Sequence, residues 1–271
     1  MISSKNSNAA ASPAGGGALS EEEWIALASA QGLAPEPAPP GITELAAQPA
    51  LHAGGVVGYL DDADRRQASL APSRSLADIL EGRRSETAAL APLSRFDLAT
   101  LLYRSARLIA PGVGEDGGPW SHRPSPSAGA THPFDLMVYV RDVSGLPTGP
   151  YVFAPYQVQL YPLAEEQLAY AGAVESAATA AARRSSPAPV TICLIANVHR
   201  VRRRYSAPLT LLLRDAGALL AVMHLVATDL GLNSSIVGIA GQVAAESLGE
   251  NPSEMEPLVV SAGGLVVGRR A

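Results

Sequence analysis

From about residue 75 onward, apolar positions recur at helical and strand spacings in turn. Leu76, Ile79 and Leu80 follow Ser75 and predict a short amphipathic helix ending near Gly82. Ser94 stands as an N-cap before Phe96, Leu98, Leu101 and Leu102, which predict a second helix. Residues 112–127 read as loop from their Gly, Pro and Ser content. The largely apolar segment 134–140 predicts a buried strand, and 150–153 with 158–161 predict a hairpin. An alanine-rich helix follows over 165–183, then a strand around Cys193 and an arginine-rich connection. A long apolar helix over 208–232 leads to a loop near 234–241, a short helix over 243–248 and a last strand over 258–267. Strands and helices mix without a regular βαβ repeat, so the fold class is α+β.

The chain before residue 75 is less regular. Residues 1–19 are rich in Ser, Asn, Ala and Gly and read as a disordered tail. Ser20 with Glu23 has capping-box spacing, 35–40 is a stiff proline linker, and 42–47 suggests a short helix before a turn at Gly54–Gly55. Asp61, Asp62 and Asp64 read as a solvated loop, not a metal site. The expected organisation is a tail (1–19), an extension (20–74) and one folded domain (75–271).

Composition narrows the function. With 47% hydrophobic and 17% charged residues and a net charge of −5, the chain has the core of a globular domain and no basic signature of a nucleic-acid binder. Its one cysteine, Cys193, sits in an apolar run and reads as a buried strand thiol. No cationic segment followed by an apolar one opens the chain, so a cytoplasmic location is expected. Arg214, Asp215, His224 and Asp229 interrupt the apolar stretch 208–232, which argues against a membrane span. Its apolar residues lie on more than one face, as in a helix covered by its own core and by a partner subunit.

The glycines form no dinucleotide-binding fingerprint, and there is no phosphate-loop lysine, nucleophile elbow or zinc spacing, so no metal is expected. Three segments stand out together: Gly82–Arg83–Arg84–Ser85, the run from Arg123 through Pro124, Ser125, Pro126, Ser127, Ala128 and Gly129 to Pro133, and Val267–Gly268–Arg269–Arg270. Guanidinium pairs with small hydroxyl residues suit a phosphate, and a Ser-Ala-Gly run lets a flat ring approach the backbone. His132 and His199 are further polar candidates, each read first as a structural histidine.

This set, with the Gly149–Pro150–Tyr151 hairpin start, resembles the nitroreductase superfamily and its SagB-type peptide dehydrogenases over residues 75–270. The resemblance implies a mostly antiparallel sheet flanked by helices, and an intertwined homodimer with FMN at the interface. It implies that Arg83, Arg84, Ser85 and Arg269 hold the phosphate and ribityl chain, and that Ser125, Ser127 and Gly129 line the flavin. It places a backbone N–H of Val237 or Gly238 opposite flavin N5. A Lys-Tyr pair of that branch corresponds here to Arg204–Tyr205, so the lysine is replaced. Arginine stays protonated in proteins and cannot serve as the base, whereas beside Tyr205 it can stabilise a phenolate. A second departure is Glu86–Thr87, where the superfamily often has another arginine. The implied activity is oxidation of a thiazoline or oxazoline to an azole in a peptide natural product, with a cyclodehydratase complex as a further partner. The alternatives are NAD(P)H-driven reduction of a small molecule by the same fold, and a non-catalytic subunit of a biosynthetic complex.

Overall fold

The computed structural model describes residues 36–37, 60, 62–70, 73–113, 119–163, 165–202, 204–205, 208–238 and 258–271. In chain order the strands are β1 (Glu36–Pro37), β2 (Leu90–Ala91), β3 (Leu93–Ser94), β4 (Ala110–Val113), β5 (Pro119–His122), β6 (Phe134–Val140), β7 (Val143–Ser144), β8 (Gly149–Ala154), β9 (Gln159–Pro162), β10 (Val190–Asn197), β11 (Asn233–Val237) and β12 (Leu258–Arg270). The helices are α1 (Asp62–Leu70), α2 (Leu76–Gly82), α3 (Arg95–Ala106), α4 (Glu165–Ala181), α5 (Val198–Arg202) and α6 (Pro208–Asp229).

The main sheet runs β1-β12-β10-β6-β8-β9, with β11 and β2 also paired to β12, and its pairings are antiparallel. All eight residues of β10 are buried, as an apolar run without alternation requires when both faces of a strand are covered. One face carries the larger core, in which Leu98, Leu101 and Leu102 of α3 meet Ile192 and Leu194 of β10 and Leu212 and Met223 of α6. The other carries a smaller core, where Met137, Cys193 and Val266 meet Val174 and Ala178 of α4. Cys193 lies opposite Met137 on one side and Gly264 on the other, and burial pushes its thiol up to about 12. A Cβ on Gly264 would overlap the Ile192 carbonyl, so β12 approaches β10 at a distance only glycine permits.

Ser94 and Asp97 form a full capping box at the start of α3, and Ser75 caps α2 through the Asp78 N–H. In α2 only Ile79 is buried, while Leu76 and Leu80 face solvent. Several local expectations change. Residues 112–127 do not form one loop, because β4 and β5 pair as a hairpin within them. Residues 234–237 form β11 rather than loop, since the edge of β12 supplies partners that local sequence does not reveal. Asp62 and Asp64 lie in α1 instead of a loop, while Asp61 is outside the described residues: Asp62 pairs with Arg65, and buried Asp64 lies 3.1 Å from Arg95. Two residues of the proline linker, Glu36 and Pro37, pair with Val259 and Leu258. The tail 1–19, the Ser20–Glu23 box, the helix 42–47, the Gly54–Gly55 turn and the helix 243–248 lie outside the described residues.

Candidate functional site

Helix α6 organises two polar clusters. Near its start, the buried Asp215 accepts from Ser127 Oγ at 2.5 Å and from the Ala128 N–H at 3.0 and 3.1 Å. Ser127 Oγ in turn accepts from the His132 N–H at 2.9 Å. These bonds hold a turn in which Gly129, Ala130 and His132 all have positive φ, at 57°, 54° and 41°. A left-handed backbone costs a residue with a Cβ roughly 1–2 kcal/mol, so Ala130 and His132 store strain that the Asp215 bonds offset. Arg204 Nη1 donates to the Gly129 carbonyl, and a Cβ at Gly129 would lie 2.8 Å from the Tyr205 hydroxyl. The structure therefore brings Ser127, Gly129, Arg204 and Tyr205 together. Ser125 is buried beside them and lines an open cleft of about 410 Å3 together with Trp120, Arg123, Ser127, Ala130 and His132.

Burial, the nearby Arg123 and His122 push the His132 imidazole down from 6.5 to about 4, against the bond from its ring to the Ser121 backbone. An unfolded chain therefore takes up this proton first as the pH falls, so His132 stabilises the fold above about 6.5 and this contribution is lost towards 4. The urea midpoint is expected to drop across that window, and to drop less in His132→Gln. Equal pH profiles for the two proteins would show that His132 does not carry the effect.

The second cluster sits near the end of α6. Arg83 Nη1 donates to His224 Nε2 at 3.3 Å, and His224 Nδ1 lies 2.6 Å from Ser234 Oγ. Arginine only donates, so Nε2 accepts and Nδ1 carries the proton. Burial, then the Arg83 charge, hold His224 below its ordinary value and keep it neutral. Ser85 bridges Ser234, which pairs with Val267, so the Arg-Arg-Ser segment and the last strand share one edge. Arg184 pins the carbonyls of Glu86 and Ala88 from behind, Ser235 Oγ donates to the Glu86 carbonyl, and Asn233 holds the Glu86 carboxylate at 3.0 Å. Arg83, Arg84 and Ser85 are exposed, and no carboxylate pairs with either arginine among the described residues.

Arg84 and Arg269, both expected at the phosphate, already bond within the chain. Arg84 turns back onto the Glu81 and Arg83 carbonyls at 2.8 and 2.7 Å. Arg269 grips Asp97 with two bonds, at 2.8 and 3.0 Å, leaving its Nη1 edge outward. Burial alone would raise the Asp97 carboxyl, but the bonds from Arg269 and Ser94 hold it below the usual range. Val237 is buried at the end of β11, and Gly238 is the first exposed residue beyond it. His199 lies in α5. Asp215, His224 and Arg123 had no role from sequence, although polar residues inside an apolar helix are the signal that marks the first two.

Asp215 and His224 are nine positions apart, which at 100° per residue places them on opposite faces of α6 and about 13 Å apart along its axis. Leu213, Gly217 and Ala221 are exposed on the face of α6 that carries His224. By length and composition alone α6 could cross a membrane, yet it packs on the sheet with both polar residues engaged.

The nitroreductase family model matches residues 89–259. A nitroreductase-like protein of Methanocaldococcus jannaschii is 30% identical over 167 residues, covering 60% of this chain and 78% of that protein. Among solved structures, a nitroreductase-like protein of Ralstonia eutropha superposes with a TM-score of 0.53 at 22% identity, covering 88% of this chain and 95% of the other. A chain of the E. coli microcin synthetase complex McbBCD, solved with truncated pro-MccB17 bound, superposes with a TM-score of 0.52 at 16% identity, covering 82% and 91%. The chain belongs to the nitroreductase family, whose members are FMN-dependent oxidoreductases. The α+β architecture with its antiparallel sheet is the fold of that family.

Proposed function

We propose that this protein is an FMN-dependent dehydrogenase that oxidises an azoline ring in a peptide natural product to the azole, and that it works as a homodimer. The observation that carries the FMN reading is the pairing of an exposed, carboxylate-free guanidinium, Arg83, with a strained Ser-Ala-Gly turn on the far face of the same helix. These residues fit the cofactor. Arg83 and Ser85, with the outward edge of Arg269, would hold its phosphate. The turn at Ser127–Gly129 lacks bulk, and with Ser125 it would lie along the ring. Gly238 or Val237 would offer a backbone donor to it. Because the two clusters occupy opposite faces of α6, one flavin would draw its phosphate ligands and its ring contacts from different chains, joined along Leu213, Gly217 and Ala221. FMN, when bound, supplies a two-electron acceptor.

The azoline reading rests on the resemblance to SagB-type enzymes and is supported by the likeness to a microcin synthetase chain, which also suggests a cyclodehydratase complex as partner. Oxidation to the azole removes a hydride and a proton. The Tyr205 hydroxyl stands beside the turn and would relay that proton to solvent, accepting it on oxygen as its own proton leaves, with Arg204 fixing the turn through the Gly129 carbonyl. The missing lysine favours a second reading, NAD(P)H-driven reduction of a small molecule at the same site, since Arg204 cannot act as a base.

Protein reconstituted with FMN is expected to convert a thiazoline peptide into a product two hydrogens lighter, and Tyr205→Phe to lower that rate by about 10²-fold or more, as loss of a proton-transfer group does. Mass spectrometry checks both. An unchanged peptide, together with rapid flavin bleaching by NADPH alone, transfers the assignment to the second reading.

A further inference from the structure

Arg123 ends the β4–β5 hairpin and lines the cleft beside the strained turn, together with Trp120, Ser121, Ser125 and His132. It also lines a second, smaller pocket, which reaches Phe134, Asp215 and Leu219. Its side-chain bond runs from Nε to Ser121 Oγ at 3.3 Å. The carboxylate acting on it is Asp135, and both oxygens of that group are already claimed by Arg200, at 2.9 and 3.3 Å. His132 adds no negative charge, and Asp215 is spent on Ser127 and Ala128. Two guanidinium groups thus share one carboxylate, and the one facing the cleft has no ion pair among the described residues.

A partly buried cation without a counter-charge is costly, and burial with the Arg200 charge lowers Arg123 to about 10. Asp135 is a single carboxylate between two guanidinium groups, so this cluster has no surplus negative charge to offer. A forked guanidinium matches a carboxylate with two parallel hydrogen bonds. We infer that Arg123 is a substrate-recognition residue that binds a carboxylate group at the cleft beside the Ser125–Gly129 turn. Trp120 and Pro124 supply apolar contact for the body of such a ligand. This deepens the proposed function by adding an anionic group, such as a peptide C-terminus or an acidic side chain, to the substrate. A phosphate could meet the same guanidinium, so the test separates the two anions.

The probe is 4-fluorobenzoate, with neutral 4-fluorobenzamide as its control, titrated into the full-length protein with and without FMN and followed by fluorine NMR. The wild type is expected to bind the benzoate at least tenfold more tightly than the amide. Arg123→Gln should abolish that preference, Arg123→Lys should keep part of it, and FMN affinity should not change in either. Equal binding of benzoate and amide by the wild type overturns the inference without any variant. So does loss of FMN affinity in Arg123→Gln with the benzoate preference intact, which would assign the guanidinium to the flavin phosphate. If the protein binds no FMN, the flavin reading fails, while the titration without FMN still decides the role of Arg123.

Discussion

Arg83→Ala is expected to weaken FMN binding by roughly 10- to 100-fold, measured by quenching of flavin fluorescence on titration. The guanidinium is exposed and its side-chain partner is a neutral His224 at 3.3 Å, so no anion among the described residues competes for it. A hydrogen bond to a charged group contributes about 1.5–3 kcal/mol, and about 1.4 kcal/mol corresponds to a factor of ten in affinity. The melting temperature should hardly move, since Arg83 buries little and pairs with no carboxylate. Arg84→Ala is the contrast, because that side chain caps its own helix and should cost less affinity. An unchanged dissociation constant for Arg83→Ala would remove the phosphate from this edge of the sheet.

Asp215→Ala should lower the melting temperature by roughly 10 °C. Its carboxylate is buried and accepts from Ser127 Oγ and from the Ala128 N–H, and both donors would lose their partner. Leaving a buried donor unsatisfied costs about 1–3 kcal/mol, here for two donors, and each kcal/mol shifts the midpoint of a domain this size by about 2–4 °C. The same change frees the left-handed turn at Gly129–His132, so flavin affinity should fall together with stability. Asp215→Asn keeps the shape and one acceptor and should lie between. A variant that melts like the wild type would show that the turn is held by other contacts.

Sequence reading worked where neighbours along the chain decide the outcome. Ser94 and Asp97 cap α3 through atoms three residues apart, and the largely apolar segment 134–140 is β6 to the residue. It failed where the deciding partner is distant. Nothing near Ser234 announces that β12, some thirty residues on, turns this stretch into a strand. Arg269 stands out by motif, but nothing beside it announces Asp97, far away in sequence, which takes two of its donors. Asp215 and His224 stood out only as interruptions of an apolar helix. Which faces they occupy follows from helical geometry, whereas Ser127 and Arg83 as their partners emerge only from the fold.

The position of Cys193 makes it a reporter. As the sole cysteine, and with its thiol raised to about 12 in the middle of the sheet, it should react with a disulfide reagent only when β10 separates from its neighbours. Labelling kinetics of the unmodified protein would therefore time the opening of the whole sheet, with and without flavin. A cysteine introduced at the exposed Tyr156 could carry a dye without any need to remove the native one.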